Sequence, residues 1–494
     1  MKDLKLMVLN PPSPPHYDVC RDWAGGFGTA SYCPKRNDYG QSDDPILQPC
    51  LPFVSAVLLN AGYELKVLDC QRLKMKESQV LKDVAKENPD IIFSLIGFPS
   101  LKKDVELLSD IKKTLPETFI VGMGTACKVV PGEILNGGHI DVVLRTDYPY
   151  VSNLVDVVEA LWRERNLKCV SGVSYLNNEK VVVNTLDSPD PDLSTLPPPS
   201  YDLLQLEGYH SFMDLDGVRH KNVPILGSKG CPYGCIYCPY PVGFGRKWTH
   251  RLPKEIVDEM EYLHEVHGIQ GFQFRDQSFT MNKKHALEVC DEIIRRRLDV
   301  VWLCEARVDE SSRSLLSKMK EAGCIRIHYG VETGDPDLIR IGKPGVDLQV
   351  FRKAFYLTKE IGFWRSAHMI MGWPDESQET LERTYKFVRD LDPDDANWNF
   401  LTPYPGTKLY ELALKNSWIL TQDWSKYTTE NVIMSTKNLS KIQLNAARRK
   451  FIRDFLRERT KKMFLQIARG KMKPKLSLND VKNIAKYYIT QSRV

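Results

Sequence analysis

The stretch GSKGCPYGCIYCPYP, residues 227–241, decides the fold predicted for this chain. It places Cys231, Cys235 and Cys238 in a C-x3-C-x2-C spacing among glycines, prolines and tyrosines. Paired C-x2-C knuckles are typical of a structural zinc site, but here there is one compact triplet. Three thiolates bind three irons of a cubane [4Fe–4S] cluster and leave the fourth iron open to another ligand. The triplet therefore indicates a reactive iron–sulfur site, and a zinc site completed by a histidine or a distant cysteine is the alternative.

Short apolar segments, separated by helical ones, begin just before the triplet and continue after it. Six such units within roughly 190 residues are typical of a partial parallel (β/α)6 barrel. The predicted strands are 223–227, 272–276, 300–307, 325–332, 365–372 and 396–403. Barrels of this kind carry their active site at the carboxyl ends of the strands. The cysteine triplet follows the first strand and so falls at that end.

The N-terminal region shows the same alternation, which indicates an open, mostly parallel α/β sheet of the Rossmann-like, doubly wound type. The predicted strands are 4–10, 64–69, 90–97, 118–124 and 141–146, and the predicted helices are 51–63, 78–87 and 101–114. Such sheets bind ligands at the loops beyond the carboxyl ends of their strands. The stretch LDSPDPDLSTLPPPSYD, residues 186–202, is rich in proline and aspartate and indicates an extended connection.

These patterns predict four parts: a Rossmann-like domain (1–185), a proline-rich linker (186–220), a partial barrel (221–425) and a basic helical C-terminal region (426–494). From Lys441 to Lys475 there are thirteen Lys or Arg residues against two acids. A helix that packs by its apolar face and exposes a solvated basic face explains this pattern. Docking of the basic face to an acidic protein, a nucleic acid or lipid headgroups is the alternative.

Composition favours an ordinary globular protein: 494 residues, 42% hydrophobic and 27% charged, with a net charge of +5. The most apolar windows are about half of the roughly 20 residues that cross a bilayer, and no signal peptide is apparent. We therefore expect a cytoplasmic protein without a disulfide framework, in which most of the other cysteines are structural. These other cysteines are Cys20, Cys33, Cys50, Cys70, Cys127, Cys169, Cys290, Cys304 and Cys324. A second metal site at Cys20, Cys33 and Cys50 is the alternative.

With the cysteine triplet and the aromatic Tyr237 before its last cysteine, the chain resembles the radical S-adenosylmethionine (SAM) superfamily. The resemblance extends over roughly 220–410, through FQFRDQSFT, YGVETG, MGWPDES and TPYPGTKLY. It implies that the three cysteines bind a [4Fe–4S] cluster and that SAM chelates the open iron. The residues implied to bind SAM are Tyr237, Asp276, Glu332, Met371 and Gly372.

The order of α/β domain, proline-bearing linker and barrel resembles the cobalamin (B12)-dependent radical SAM enzymes, the class B methylases in particular. The resemblance implies that the N-terminal sheet binds cobalamin through Gly97, Phe98, Ser100, Gly122, Gly124 and Thr125. The D-x-H-x-x-G pattern of many cobalamin proteins is absent, so that histidine ligand is missing. In VLRTDYPY, Thr146 and Asp147 replace the Gly and Glu that are usual in this branch. A degenerate domain that no longer binds cobalamin is the alternative.

The function implied is C-methyl transfer. A 5′-deoxyadenosyl radical abstracts hydrogen from an unactivated carbon, which then receives a methyl group from methylcobalamin. The alternatives are ring formation, oxidation or carbon–carbon coupling, with or without cobalamin, and a zinc- or cluster-stapled scaffold that binds nucleic acid.

The partners implied are a small-molecule, lipid or peptide side-chain substrate and an electron donor such as ferredoxin or flavodoxin. No catalytic acid or base is assigned. The candidates for the substrate pocket are Tyr240, Phe244, Arg246, Arg307 and Asn399.

Overall fold

Two seven-stranded sheets organise the computed structural model, which describes residues 2–15, 17–32, 45–164, 166–186, 192–209, 212–215 and 218–468. Cys33 and the basic residues beyond Ala468 lie outside the described residues. The strands up to residue 183 are β1 (Lys2–Asn10), β2 (Tyr17–Cys20), β3 (Thr29–Tyr32), β4 (Tyr63–Asp69), β5 (Ile91–Leu95), β6 (Phe119–Met123), β7 (Val142–Leu144), β8 (Val173–Asn177) and β9 (Lys180–Val183). The helices are α1 (Trp23–Gly26), α2 (Cys50–Asn60), α3 (Glu77–Glu87), α4 (Leu101–Thr114), α5 (Thr125–Val129), α6 (Pro131–Leu135) and α7 (Leu154–Glu159).

The first sheet confirms the α/β architecture expected of the N-terminal region. Its order is β4-β1-β5-β6-β7-β8-β9, and the first five strands are parallel. All five residues of β5, IIFSL, are buried, because helices cover both faces of a parallel sheet. The carboxyl ends of these strands therefore meet at one edge, where the predicted ligand loops lie.

An antiparallel hairpin, β8–β9, extends this sheet and was missed from the sequence. Its turn residues Asn178 and Glu179 both have a left-handed backbone, with φ of 48° and 62°. Two consecutive left-handed residues are typical of a type I′ hairpin, which usually carries glycine. Because glutamate stands at the position where glycine is usual, the sequence does not indicate this turn. The mostly exposed residues of β9 also lack the alternation of apolar and polar residues that predicts a strand.

The second sheet has the order β10-β11-β14-β15-β16-β17-β18, and its last six strands are parallel and follow chain order. All six predicted barrel strands are confirmed. Antiparallel β10 was not predicted, since it falls inside the proposed linker. The strands are β10 (Phe212–Leu215), β11 (Val218–Ile225), β12 (Ser228–Lys229), β13 (Thr249–His250), β14 (Gly271–Phe274), β15 (Val301–Ala306), β16 (Cys324–Glu332), β17 (Trp364–Met371) and β18 (Asp395–Phe400). The domain bounds themselves stay a prediction.

Helices alternate with these strands, and side-chain caps fix where several of them begin. Asp335 accepts from the backbone N–H groups of Asp337 and Leu338, both at 3.0 Å, at the start of α12. Positive-φ glycines follow other helices, such as Gly362 at 90° after α13. The helices are α8 (Tyr240–Phe244), α9 (Pro253–His267), α10 (Lys283–Arg296), α11 (Arg313–Glu321), α12 (Pro336–Gly342), α13 (Leu348–Ile361), α14 (Gln378–Leu391), α15 (Lys408–Lys415) and α16 (Lys441–Ala468).

Helix α16 packs against the second sheet by its apolar face. Phe451 and Phe455 are buried, whereas Phe464 is exposed. On the basic face, Arg459 pairs with Asp394 at 3.1 Å and Lys462 with Asp392 at 2.6 Å. Part of the positive charge of α16 is therefore neutralised by acids of the same protein. Among the described residues, no helix has both the length and the apolar character to span a bilayer.

Arg21 ties the segment after β1 to the carboxyl edge of the first sheet. Its side chain donates to Asn10 Oδ1 at 3.0 Å and to the Pro11 carbonyl at 2.8 Å. It also forms a buried ion pair with Asp104 of α4, at 2.5 Å. Burial raises the pKa of Asp104, while the charge of Arg21 lowers it. The positive charge of Arg21 therefore compensates the buried negative charge of Asp104.

We expect Arg21→Met to lower the free energy of unfolding by about 3–5 kcal/mol, because it leaves the Asp104 carboxylate buried without its counter-ion. The shift of the urea unfolding midpoint measures this. Lys103→Met, which removes an exposed pair with Glu106, is the control and should change stability by less than about 0.5 kcal/mol. Equal shifts for the two variants would contradict the prediction.

Candidate active site

The cysteine loop, residues 230–248, is closed at its base by the two-stranded ribbon β12–β13. Ser228 pairs with His250, and Lys229 with Thr249. Gly230 has φ of 88°, and a Cβ there would lie 2.0 Å from the carbonyl oxygen of Lys247. Only glycine fits that position, so the two ends of the loop meet backbone to backbone.

Asp276, just beyond the end of β14, holds this ribbon in place. Its Oδ1 accepts from the backbone N–H of Gly227 at 2.8 Å, and its Oδ2 from the Ser228 hydroxyl at 2.5 Å. Burial raises its pKa to about 6, against the lowering effect of these hydrogen bonds. Asp276 was predicted to lie near SAM. In the structure it directly contacts the base of the cysteine loop.

Cys231, Cys235 and Cys238 are all half-buried in one loop. The Cys238 N–H donates to the Cys235 carbonyl at 3.2 Å, and the Cys231 N–H to the Gly245 carbonyl at 3.1 Å. Within the described part of the chain, no three His, Cys, Asp or Glu side chains are gathered as one metal ion requires. A cubane cluster binds each thiolate through a different iron, so its ligands need not converge on one point. Three half-buried thiols on one fixed loop fit such a cluster.

Two cations and one acid lie near the middle cysteine. Burial raises the pKa of the Cys235 thiol, and the charges of Lys343 and Arg307 lower it. The Arg307 guanidinium lies 3.5 Å from the centre of the Tyr233 ring, and Tyr233 donates to Glu310 at 2.9 Å. Arg307, predicted for the substrate pocket, therefore contacts the cysteine loop.

Glu310 is a site residue that the sequence analysis missed. Its other carboxylate oxygen accepts from Ser278 at 2.5 Å and from Thr280 at 2.7 Å. It thereby joins the loops after β14 and β15 to the cysteine loop. Its position after the carboxyl end of a barrel strand is a signal that could have identified it.

Glu332 lies at the end of β16, at a bulge where the pairing with β17 shifts register. Its backbone is left-handed, with φ of 67°. The Lys343 ammonium lies 3.5 Å from its carboxylate and donates to the Gly330 carbonyl at 2.6 Å. Lys343 comes from the end of α12, and no local pattern marks it in the sequence.

Tyr237 lies close to this acid and to Cys235 and Cys238. Burial, and then the charge of Glu332, raise its pKa well above the ordinary value. Its ring meets Trp373 edge to face, with 5.5 Å between the ring centres. The aromatic residue of the triplet is thereby packed against the turn after β17.

That turn begins at Met371, which is fully buried, and at Gly372, with φ of 91°. One carboxylate oxygen of Glu376 accepts from the N–H groups of Gly372 and Trp373. The other oxygen is buried without a hydrogen-bond partner. Burial raises the pKa of Glu376 to about 8. The glutamate of MGWPDES thus shapes the predicted SAM-binding turn.

At the carboxyl edge of the first sheet, the predicted cobalamin loops are covered by the chain itself. Phe98 stacks on Phe27 with 5.1 Å between ring centres, and Trp424 meets it edge to face at 4.8 Å. Ser100 donates to Asp104 at 2.7 Å, so its hydroxyl proton is used inside the protein. The Gly97 N–H also donates to Asp104, at 3.2 Å.

The second predicted loop contacts the glycine segment, defined as Trp23–Gly28. The Thr125 hydroxyl donates to the Gly25 carbonyl at 2.7 Å. A Cβ on Gly25 would lie 2.8 Å from the backbone of Pro239 in the cysteine loop. Gly122 and Gly124 face Ile96, so internal packing requires these two glycines. The glycine segment thus fills the space between the two sheets.

Residues of the cysteine loop also pack across this interface. Phe244 is buried and stacks on Tyr148, with 4.3 Å between ring centres, and the Tyr148 N–H donates to the Gly243 carbonyl at 2.8 Å. Tyr240 lies beside Arg275, whose charge lowers the Tyr240 pKa against the larger effect of burial.

Buried donors without a hydrogen-bond partner at this interface include the indole N–H of Trp23 and the hydroxyl of Tyr148. Such groups are costly unless a ligand or water satisfies them. They fit the amide oxygens around a corrin, whereas the glycine segment fills the space such a ligand needs. We therefore expect cobalamin binding to require movement of the glycine segment.

The other substrate-pocket candidates lie apart from these contacts. Arg246 is exposed at the end of the cysteine loop. Asn399, on β18, accepts from the Thr429 hydroxyl at 3.3 Å. The roles of the five substrate-pocket candidates stay predictions.

Comparison with known proteins gives a consistent result. The profile of the Radical SAM superfamily matches residues 225–388. An uncharacterized methyltransferase of Pyrococcus horikoshii is 31% identical over 408 residues, which cover 81% of this chain and 86% of that protein. The anaerobic magnesium-protoporphyrin IX monomethyl ester cyclase of Rubrivivax gelatinosus is 29% identical over 400 residues, 79% of this chain and 70% of the relative.

Among solved structures, the radical SAM methyltransferase TsrM of Kitasatospora setae, with cobalamin and a [4Fe–4S] cluster bound, superposes with a TM-score of 0.67. The match covers 85% of this chain and 79% of TsrM, at 18% identity. It supports the pairing of an α/β sheet with a curled, parallel half-barrel as the fold.

The turn at Glu376 generates a prediction about pH. Folding raises the pKa of this carboxyl from 4.5 to about 8, so its stabilising effect is complete below pH 4.5 and is lost as the pH rises through 8. We expect Glu376→Gln, which mimics the protonated acid, to reduce the fall of the melting temperature between pH 5 and pH 8.5. The exposed neighbour variant Glu379→Gln is the control. A slope unchanged by Glu376→Gln would contradict the prediction.

Proposed function

The chain belongs to the radical SAM superfamily, and on that premise we propose that it is a cobalamin-dependent C-methyltransferase acting on an unactivated carbon. The observation that carries the proposal is the convergence at one site. The three-cysteine loop meets Glu332 and the Gly372 turn at the carboxyl ends of six parallel strands. Similarity to the Pyrococcus horikoshii methyltransferase over most of both chains supports methyl transfer.

In this proposal Cys231, Cys235 and Cys238 hold the cluster. When bound, the [4Fe–4S] cluster and SAM supply a 5′-deoxyadenosyl radical, and cobalamin supplies the methyl group. The protein itself binds and orients the cofactors and the substrate, and it excludes water from the site. Lys343 and Arg307 stabilise the thiolate of Cys235 by their charge.

The predicted SAM-binding residues are assigned to different parts of SAM. Glu332 would accept hydrogen bonds from the ribose hydroxyls of SAM. The Lys343 ammonium, 3.5 Å from the Glu332 carboxylate, is its counter-ion. Met371 and Gly372 contact adenine, on a turn whose backbone Glu376 fixes. Asp276 acts as a positioning residue, because both of its oxygens are committed to the base of the cysteine loop.

We further propose that cobalamin binds at the carboxyl edge of the first sheet, once the glycine segment has moved. The unpaired Trp23 and Tyr148 donors are the residues expected to contact it. The similarity of the fold to that of TsrM, a structure with cobalamin bound, supports the proposal that this chain binds cobalamin. An electron donor such as ferredoxin or flavodoxin is expected to dock at the exposed residues of the cysteine loop, Pro232 and Gly234.

Oxidative ring formation is the second candidate, because a magnesium-protoporphyrin ester cyclase is similar over 79% of this chain. Both reactions begin with the same hydrogen abstraction. They differ in their products, since methylation yields S-adenosylhomocysteine together with 5′-deoxyadenosine, whereas ring formation yields only the latter.

We expect anaerobic preparations from cobalamin-supplied cells to contain about four irons and one cobalt per chain, and to release 5′-deoxyadenosine from SAM after reduction. Elemental analysis and chromatography of the products measure this. Cys235→Ala should lose SAM cleavage, whereas Cys169→Ala, at an exposed and distant cysteine, should retain it. Cleavage retained in Cys235→Ala would overturn the cluster assignment, and iron without cobalt would overturn the cobalamin assignment.

Movement of the glycine segment is tested separately. We expect hydroxocobalamin to increase amide hydrogen exchange in residues 22–28, because the ligand must displace this segment from Thr125 and Pro239. Peptides from α10 are the internal control. Cobalt binding without any change in exchange at 22–28 would contradict the proposed location.

A further inference from the structure

Helix α16 carries a continuous exposed face on the side away from the second sheet. Phe451 and Phe455 pack into the core, and the exposed residues lie on the other side of the helix. Successive members of this face are three or four residues apart, as one straight stripe along an α-helix of about 33 Å requires. The stripe, called here the outer face of α16, consists of seven exposed residues: Ile442, Ala446, Arg449, Arg453, Arg457, Lys461 and Phe464.

Four cations form the middle of the outer face at a regular spacing of four residues. They are Arg449, Arg453, Arg457 and Lys461. Neighbours at this spacing lie about 6 Å apart along the helix axis, and like charges there repel each other. Among the residues that the structure describes, Arg449, Arg457 and Lys461 have no ion-pair or hydrogen-bond partner. An anion placed over the row would relieve the repulsion.

The acids of α16 compensate only the cations at the side of this row. Asp454 and Glu458 are both half-buried and lie beside the outer face. Asp454 pairs with Lys450 and with Arg453, both at 3.3 Å, so Arg453 is partly compensated. Glu458 pairs with Arg389 of α14 at 2.9 Å. Both carboxylates are therefore bound to cations other than the three unpaired ones.

Acids that precede and begin β18 lie toward the packed side of α16. Asp392 pairs with Lys462 at 2.6 Å, and Asp394 pairs with Arg459 at 3.1 Å. Asp395 lies on the face of β18 opposite to the residues that contact α16, because side chains alternate along a strand. The outer face therefore keeps its positive charge.

Apolar side chains stand at both ends of the row of cations. Ile442 is 79% exposed at one end, and Phe464 is 57% exposed at the other, next to Leu465 at 54%. Exposure of apolar side chains of this size to water is unfavourable. Packing of α16 does not use them, since Phe451 and Phe455 supply its buried side. A face that served only for contact with water would be polar at these positions.

We propose that the outer face of α16 binds the surface of a membrane that contains anionic lipids. Helices that lie in a membrane surface combine two kinds of residue: apolar side chains that enter the headgroup region, and cations that attract anionic headgroups. Ile442 and Phe464 are of the first kind, and the unpaired cations between them are of the second. The helix would lie on the membrane without crossing it. This proposal concerns α16 alone and is independent of the reaction proposed above.

A nucleic acid is the other anionic surface that a row of cations fits. Its phosphates would pair with the cations equally well. Exposed aromatic rings such as that of Phe464 can stack on bases, but the aliphatic side chains of Ile442 and Leu465 cannot. The apolar ends of the outer face therefore favour lipid, and nucleic acid becomes an outcome of the test.

Sedimentation with lipid vesicles tests the proposal on the anaerobic holoprotein. The vesicles contain phosphatidylcholine alone or phosphatidylcholine mixed with anionic phosphatidylglycerol. We expect saturable binding to the mixed vesicles only, and weaker binding when salt is raised from about 0.1 M to about 1 M, because the Debye length falls from about 10 Å to about 3 Å. Absence of binding to the mixed vesicles at the lower salt concentration overturns the proposal. Equal binding to both kinds of vesicle overturns the role of the cations.

A triple variant locates the charge that binds the vesicles. We expect Arg449→Gln, Arg457→Gln and Lys461→Gln together to weaken binding to the mixed vesicles about a hundredfold, since each basic residue near the surface contributes about fivefold. The control removes the same charge from three exposed lysines on α3, α4 and α13: Lys82→Gln, Lys102→Gln and Lys353→Gln. An equal loss in both triple variants reflects net charge alone and overturns the assignment to α16.

A double variant tests insertion of the apolar end without a change of charge. We expect Phe464→Ser with Leu465→Ser to weaken binding about tenfold, because the variant loses the apolar area that enters the headgroup region. Tyr356→Ser on α13, at a side chain 67% exposed, is the matched control and should bind as the unmodified protein does. Unchanged affinity in the double variant overturns insertion.

Competition with nucleic acid separates the two anionic surfaces. Duplex DNA or single-stranded RNA is added to protein bound to the mixed vesicles, and we expect neither to displace it. Displacement that requires Arg449, Arg457 and Lys461 would identify nucleic acid as the partner and overturn the membrane proposal. The substituted side chains are exposed, so all variants should keep the melting temperature, the iron content and the SAM cleavage of the unmodified protein.

Discussion

The buried carboxylate of Asp276 is the constraint on which the site depends. It binds the Gly227 N–H and the Ser228 hydroxyl at once, so the end of β14 fixes the chain that leaves β11. A loop whose base is fixed in this way costs less entropy to hold in one shape. Three thiols can then stay apart at set positions, as a cluster requires, without relying on a disulfide or on close packing of their own.

Charged groups from other strands complete the arrangement around that loop. Arg307 and Glu310, after β15, bind Tyr233, while Lys343 and Glu332, from α12 and β16, lie beside Cys235 and Tyr237. Each group reaches the loop because parallel strands end at one edge. The result places two cations near Cys235, where thiolate charge accumulates, and an acid beside Tyr237 that stays available for hydrogen bonds.

Arg275, the neighbour of Asp276 in the chain, interacts with residues outside the cysteine loop. Its guanidinium lies 4.3 Å from the centre of the Trp23 ring, so it meets the glycine segment that fills the interface with the first sheet. Its charge also lowers the pKa of His328 on β16, after the larger effect of burial.

The sequence by itself determined the two parallel sheets, because apolar runs of strand length repeat between amphipathic helices, and it determined the cysteine loop through its spacing. It also marked Asp276, Glu332 and Gly372, through the resemblance of their order and spacing behind the cysteine triplet to the radical SAM superfamily. Only the tertiary structure decided that Asp276 holds the loop base, that Lys343 lies by Cys235, and that Phe244 is buried against Tyr148. The β8–β9 hairpin and the covering of Phe98 by Phe27 and Trp424 were decided there as well. These contacts join residues far apart in the chain, and their partners are set by packing and strand register, which local patterns do not encode.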